Sequence, residues 1–277
     1  MKELIKKILV RAKCTPIEDI VCVLAASSVK VVSFDIFDTL IKRNVREATD
    51  VFSLLEKEYI DKFGHAAPIK KWRIVAEKEA NKRSSYNEVN LDEIYQALES
   101  LPEEERNWLK ETEVELELRI TQRNNSLFDV YQWCLAHGKK IILISDMYLP
   151  LHVVEEIVKN AGYHGYAKIY LSNCYRERKA TGNLFKIALK EEGVLPKEMV
   201  HIGDALRGDY MSPLKLGIQA ILIGKRDPET KYFNSKWHKL DYNVLNSFIR
   251  NNEPAKYDFY QKIGYEVVGP ILYGYSK

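Results

Sequence analysis

The chain has 277 residues, of which 46% are hydrophobic and 29% are charged, the ordinary balance of a soluble globular protein. A net charge of +3 without a long basic stripe does not indicate a nucleic-acid partner, and no apolar run reaches the roughly 20 residues that span a bilayer. The amino-terminal segment is too charged for a signal peptide, and four cysteines without CxxC spacing indicate neither a disulfide framework nor a zinc site. We therefore expect a cytoplasmic protein with reduced thiols.

The chain begins with an N-terminal helical segment, predicted over residues 1–28. Residues 2–13 show the pattern of a short, basic, amphipathic helix. Such a helix can anchor a protein to a membrane surface or pack on its main domain. We favour packing, because a few lysines on a short helix usually form a solvated face.

The next part of the chain contains one strand and a long helical region. Residues 29–34 are an apolar, β-branched run, which predicts a buried parallel strand that ends at Asp35. Residues 45–122 lack strand signals, and their apolar residues recur at helical spacing, with Asn90 as a plausible helix N-cap. These features predict an all-helical insert over residues 42–124.

Strands and helices alternate after this insert. The further strands are predicted at residues 140–144, 169–171, 200–202 and 218–223. Alternation of apolar strands with helices indicates an α/β fold with a Rossmann-like parallel sheet, covered on both faces and formed by residues 29–41 and 125–225. We expect residues 226–277 to form a tail that docks on another domain or leads into one.

Polar residues follow several predicted strands at the point where each strand ends. These residues are Asp35 and Thr39 after the first strand, Ser145 after the second, Lys179 between the third and fourth, and Asp204 and Asp209 after the fourth. The carboxyl ends of parallel strands meet at one edge of a sheet, so we expect these groups to converge. A carboxylate can attack phosphorus, carboxylates bind magnesium, and hydroxyl and ammonium groups can hold phosphoryl oxygens. The set therefore predicts a site for phosphoryl transfer.

Four motifs resemble those of the haloacid dehalogenase (HAD) superfamily. They are FDIFDTL at residues 34–40, ISD around Ser145, RKATGNLF around Lys179 and GDALRGD at residues 203–209. The resemblance covers roughly residues 29–225 and places the helical insert where the family has its C1-type cap. It implies a magnesium-dependent hydrolase that acts through an aspartyl-phosphate on a small phosphorylated metabolite.

The resemblance also implies a role for each matching residue. Asp35 would be the nucleophile, Thr39 and Ser145 would bind the phosphoryl group, and Lys179 would bridge the nucleophile and the phosphoryl group. The ligands of one Mg2+ ion would be the carboxylates of Asp35, Asp204 and Asp209 and the backbone carbonyl of Phe37.

The chain departs from the family pattern at Phe37, where the family has the aspartate that is its usual general acid. Phenylalanine cannot donate a proton, and Asp38 is expected to point away from the position that Phe37 occupies. The acid could come from elsewhere, the leaving group could need little protonation, or the chain could be a weak or non-catalytic scaffold module. An aromatic residue here also resembles the haloacid dehalogenases themselves, which need no magnesium. The carboxylates of GDALRGD argue against that alternative, because paired buried carboxylates without a cation are costly.

Three further residues are candidates for substrate binding: Arg43, Arg73 and Tyr148. Arg73 stands four residues before Glu77, so a solvated ion pair is the alternative for that arginine. The SFDIFDTL and SDMYLP phrases and the final GPILYGYSK resemble HAD domains found with bacterial glycosyltransferases of surface-polysaccharide synthesis. This resemblance implies a sugar phosphate as substrate and a glycosyltransferase domain or partner.

Overall fold

The structure, a computed structural model, describes residue 15, residues 17–45 and residues 47–223. The predicted basic helix at residues 2–13 and the predicted tail at residues 226–277 lie outside the described residues. Among the described residues, no helix has both the length and the apolar character needed to cross a bilayer.

Strands and helices alternate through most of the described chain. The strands are β1 (Val31–Phe34), β2 (Ile41–Arg43), β3 (Thr121–Arg123), β4 (Lys140–Ser145), β5 (Lys168–Leu171), β6 (Met199–Gly203) and β7 (Gln219–Leu222). The helices are α1 (Ile17–Leu24), α2 (Val51–Phe63), α3 (Ile69–Arg83), α4 (Leu91–Gln96), α5 (Glu103–Ile120), α6 (Asn125–Ala136), α7 (Leu151–Asn160), α8 (Ser172–Tyr175), α9 (Asn183–Glu192) and α10 (Ser212–Lys215).

A five-stranded parallel sheet forms the centre of the molecule, with the strand order β5-β4-β1-β6-β7. This sheet confirms the predicted α/β, Rossmann-like core, and each of its strands begins within two residues of the predicted start. The chain runs from β1 outward through β4 to β5 and then returns to place β6 on the other side of β1. Ligands of such sheets bind beyond the carboxyl ends of the strands where the direction reverses, which here is at β1 and β6.

Helices cover both faces of the sheet. On one face, Leu184 and Phe185 of α9 pack with Val31 of β1. On the other face, Val32 and Phe34 of the same strand pack in a larger core with α1, α6 and α7. Because both faces are buried, the strands are mostly apolar and do not alternate regularly with polar residues.

The helices α2 to α5 and the loops between them form a helical insert between β2 and β3. At the base of the insert, β2 and β3 pair antiparallel, with Ile41 opposite Arg123. This ladder was not predicted, because a three-residue strand is too short to show an alternating pattern. The predicted N-cap at Asn90 is confirmed: its side chain accepts a hydrogen bond from the Glu93 N–H at 2.9 Å, and the Glu93 carboxylate accepts one from the Asn90 N–H at 2.8 Å.

Candidate active site

The predicted catalytic residues meet at the carboxyl end of β1. Asp35 directly follows β1 and is 4% exposed. Its Oδ2 accepts a hydrogen bond from the Thr39 hydroxyl at 2.9 Å, and its Oδ1 lies 2.6 Å from the ammonium of Lys179 and 3.3 Å from the hydroxyl of Ser145. The structure therefore brings Thr39, Ser145 and Lys179 into direct contact with Asp35.

The site places several carboxylates around the single ammonium group of Lys179. Burial raises the pKa of the Asp35 carboxyl, and Lys179 opposes this increase only in part. Burial alone would lower the pKa of Lys179, but the carboxylates of Asp209, Asp35 and Asp146 outweigh it and raise that pKa. Lys179 is therefore an ammonium that faces several carboxylates, and further positive charge would stabilise the ionised form of Asp35.

Asp209 lies on a turn of π-helix, Leu206–Met211, that follows β6. Its Oδ1 lies 2.6 Å from the Lys179 ammonium and 3.1 Å from Nε2 of His201, and its Oδ2 accepts the Ala205 N–H at 2.9 Å. A Cβ at position 203 would overlap the side chain of Asp209, which explains why glycine stands before Asp204 in GDALRGD.

Three carboxylates could hold a metal ion. Asp35, Asp204 and Asp209 each offer one oxygen, and these three oxygens lie within 4.8 Å of one another. An all-oxygen, anionic donor set suits a hard divalent cation such as Mg2+. The residues therefore fit the ion that the family resemblance implies. The backbone carbonyl of Phe37 stays a predicted fourth ligand.

A cation–aromatic pair occupies the position where the family has its general acid. The ring of Phe37 is 8% exposed, and Cζ of Arg43 lies 4.4 Å from its centroid. Nε of Arg43 donates to both carboxylate oxygens of Glu117, at 2.8 and 3.1 Å. Arg43 is thus fixed next to the nucleophile loop by a buried partner from α5, and its role in substrate binding stays a prediction.

Arg73 is buried inside the helical insert. Its Nε and Nη2 donate to the two carboxylate oxygens of Glu113 at 2.7 and 2.9 Å, and its Nη1 donates to Glu77 at 3.0 Å. The predicted ion pair with Glu77 is present, but the expectation that it is solvated is wrong for the arginine, because Arg73 is 0% exposed and has Glu113 as its bidentate partner. Cζ of Arg73 lies 4.7 Å from the ring centroid of Tyr148, which joins two of the predicted substrate-binding residues.

Two polar residues of the site were not predicted. Asp146 Oδ1 accepts the backbone N–H of Lys179 at 2.9 Å, and burial raises the pKa of Asp146 to about 6. His201 is fully buried, and its Nδ1 lies 2.8 Å from the hydroxyl of Ser33, its neighbour in the strand register. The sequence contains a signal for both residues. Asp146 follows Ser145 at a strand end, and Ser33 and His201 are polar residues within otherwise apolar strands.

The fold and this site define the class: a hydrolase with a Rossmann-like core and a buried aspartate at the end of its central strand. The chain belongs to the haloacid dehalogenase-like hydrolases, whose family model matches residues 29–217. A search of curated proteins found no match.

Solved structures share the fold at low sequence identity. A 2-haloacid dehalogenase from Pseudomonas syringae is 17% identical, with a TM-score of 0.55 over 80% of this chain and 99% of its own. A predicted phosphoglycolate phosphatase from Haemophilus somnus is 14% identical, with a TM-score of 0.50 over 70% of this chain and 84% of its own. YfnB of Bacillus subtilis, solved bound to magnesium, is 14% identical, with a TM-score of 0.51 over 69% and 86%.

Proposed function

We propose that this hydrolase is a magnesium-dependent phosphohydrolase that forms an aspartyl-phosphate at Asp35. The observation that carries the proposal is the group of three carboxylate oxygens, from Asp35, Asp204 and Asp209, within 4.8 Å of one another. A reaction without a metal ion would leave these carboxylates with one ammonium, that of Lys179, between two of them.

In the proposed reaction, an oxygen of Asp35 attacks the phosphorus of the substrate. A bond forms between this oxygen and phosphorus, and the bond from phosphorus to the leaving oxygen breaks. Thr39, Ser145 and Lys179 touch Asp35 and can donate hydrogen bonds to the phosphoryl oxygens. A bound Mg2+ would neutralise phosphate charge. Water then hydrolyses the aspartyl-phosphate, which releases phosphate and restores Asp35.

The leaving oxygen receives its proton without help from residue 37, because the Phe37 ring under Arg43 has no proton to give. A general acid contributes about 10²–10⁴ in rate. We therefore infer that the rate depends strongly on the leaving group, with aryl phosphates turned over faster than alkyl phosphates. An equal rate for the two classes would show that another group supplies the proton.

We further propose a sugar phosphate as the substrate, in cytoplasmic synthesis of surface polysaccharide, with a glycosyltransferase domain or partner and the helical insert as a C1-type cap. The support is the resemblance of the SFDIFDTL and SDMYLP phrases to HAD domains of that setting. A panel of sugar phosphates and other phosphorylated metabolites tests this substrate class. Turnover confined to metabolites without a sugar would contradict it.

Metal-independent dehalogenation is the second candidate, and the aromatic Phe37 favours it. The 2-haloacid dehalogenase of Pseudomonas syringae shares the fold. The two candidates differ in substrate and in metal. We expect phosphate release that requires Mg2+ and is lost in Asp35→Asn. Halide release from 2-chloropropionate that is indifferent to a chelator would support dehalogenation, and a bound metal without any turnover would support the scaffold alternative.

A further inference from the structure

Residues 172–179 connect the core to the helical insert. This bridging segment begins directly after β5 with α8 and ends at Lys179. Its start is fixed to the core, because the hydroxyl of Ser172 accepts the Met147 N–H at 2.9 Å. Its later residues carry two arginines, Arg176 and Arg178, whose side chains reach the insert.

Arg178, the neighbour of Lys179, contacts two residues of the insert. Its Nη2 lies 2.9 Å from Oε1 of Glu88 and 2.5 Å from Oδ1 of Asn81. Glu88 is 7% exposed, so its carboxylate depends on this partner. Nε of Arg178 is buried and has no hydrogen-bond acceptor among the described residues.

Arg176 makes the second connection. Its Nη1 donates to Oε2 of Glu93 at 2.5 Å and to the Glu88 carbonyl at 3.3 Å, and its guanidinium lies over the ring of Tyr86, 5.2 Å from the centroid. Arg176 has a φ of +57°, in the left-handed region that residues other than glycine rarely adopt. This residue is the C-cap of α8, and its backbone N–H donates to the Ser172 carbonyl, so the turn that aims its side chain at the insert is held within the bridging segment.

The same segment sets the position of Lys179 in the core. The backbone N–H of Lys179 donates to Oδ1 of Asp146 at 2.9 Å. Its ammonium lies 2.6 Å from Oδ1 of Asp35 and 2.6 Å from Oδ1 of Asp209. Since Arg178 and Lys179 are consecutive, a movement of the insert that displaces Arg178 also displaces the backbone that carries the ammonium.

We propose that Arg176 and Arg178 are positioning residues that couple docking of the helical insert to placement of Lys179 against Asp35. With the insert docked, its acceptors hold the bridging segment so that the ammonium reaches the nucleophile. With the insert undocked, both arginines lose these acceptors, and Lys179 loses its constraint. The proposal rests on the proposed function only for a kinetic readout, because the placement of Lys179 can be measured without turnover.

Two backbone amides report on the two sides of the coupling. The Leu91 N–H donates to the Tyr148 carbonyl, in the loop after β4, at 3.0 Å, and so reports on docking of the insert. The Lys179 N–H reports on the position of the bridging segment. We expect Arg178→Ala to increase hydrogen exchange at both amides by at least about tenfold, which is the effect of losing a charged hydrogen bond. The double variant Arg176→Ala, Arg178→Ala should show a larger increase. Arg178→Lys should restore part of the protection.

Arg83→Ala is the matched control, since Arg83 pairs with Glu99 at 2.6 Å inside the insert, with both side chains exposed. It should leave both amides unchanged. Glu88→Gln tests the coupling from the insert and should speed exchange at Lys179. Faster exchange at Leu91 with unchanged exchange at Lys179 would overturn the proposal.

The kinetic readout separates positioning from a loss of fold. In Arg178→Ala, kcat should fall by at least about tenfold with a smaller change in KM, because Lys179 acts on the reacting phosphoryl group. An unchanged kcat alongside altered exchange would also overturn the proposal. If the wild-type protein turns over no phosphoester, the proposed function fails, while the exchange experiment still decides whether the coupling exists.

Discussion

Replacing Arg73 with methionine should strongly destabilise the helical insert. Methionine keeps much of the apolar volume of the arginine side chain but removes its charge and its donors. Glu113 is 0% exposed, and of its partners in the described part of the chain it would keep the Tyr95 hydroxyl, at 2.6 Å. A carboxylate left buried without its cation typically costs about 3–5 kcal/mol.

The magnitude can be checked by a second substitution. Glu113→Leu, added to Arg73→Met, removes the unpaired charge, and the Tyr95 hydroxyl keeps the Leu109 carbonyl at 3.2 Å as an acceptor. Replacement of a whole buried ion pair by apolar groups is often close to neutral. We therefore expect the double variant to recover most of the stability that the single variant loses.

The assay is urea denaturation followed by intrinsic tryptophan fluorescence, to which Trp72 and Trp108 of the insert contribute two of the four tryptophans. The single variant should shift the midpoint down by about 2 M, from an m-value of about 2 kcal/mol/M. The shift should shrink at acidic pH, because an unpaired buried carboxylate then binds a proton. Arg83→Ala, which breaks an exposed pair, should leave the midpoint unchanged. A shift in Arg73→Met as small as that control, or a double variant as unstable as the single one, would refute the reasoning.

Three other predictions concern the polar groups around Lys179. Burial raises the pKa of Asp146 from 3.8 to about 6, so the folded state binds this proton more tightly than the unfolded state. The free energy of unfolding of the wild type should therefore fall by at most about 3 kcal/mol as pH rises between these values. Asp146→Asn should lack this decline in unfolding titrations. Gly203→Ala places a Cβ 2.6 Å from Oδ2 of Asp209, so a lower melting temperature and loss of turnover are expected, and a fully active variant would contradict the packing. His201→Ala should weaken Mg2+ binding about 10–100-fold in calorimetry, and unchanged affinity would mean that His201 does not orient Asp209.

The convergence of the candidate site residues could be predicted in part from the sequence, because some of them are tied to strand ends. Asp35 and Ser145 stand directly at the ends of apolar runs, and the geometry of a parallel sheet brings such positions to one edge. The order of the motifs then identified Lys179, which no strand end marks. Local pattern and sheet geometry were sufficient for Asp35 and Ser145, whereas Lys179 also required the family resemblance.

The polar contacts of the insert could not be predicted in the same way. Arg73 and Glu113 are 40 residues apart, and Arg178 and Glu88 are 90 apart. Helical periodicity identifies the residues that share a face, but it does not identify the element on which that face packs. Arg73 was therefore paired with Glu77, its neighbour in sequence, although Glu113 is its buried partner.

We expect Asp35 to become phosphorylated during turnover. Mass spectrometry of the protein, acid-quenched while it hydrolyses an aryl phosphate with Mg2+, tests this claim most directly. We predict one phosphoryl group on the peptide that contains Asp35, and neither modification nor phosphate release in Asp35→Asn. Phosphate release from a protein whose Asp35 is never modified, with the rate surviving in Asp35→Asn, would contradict the account.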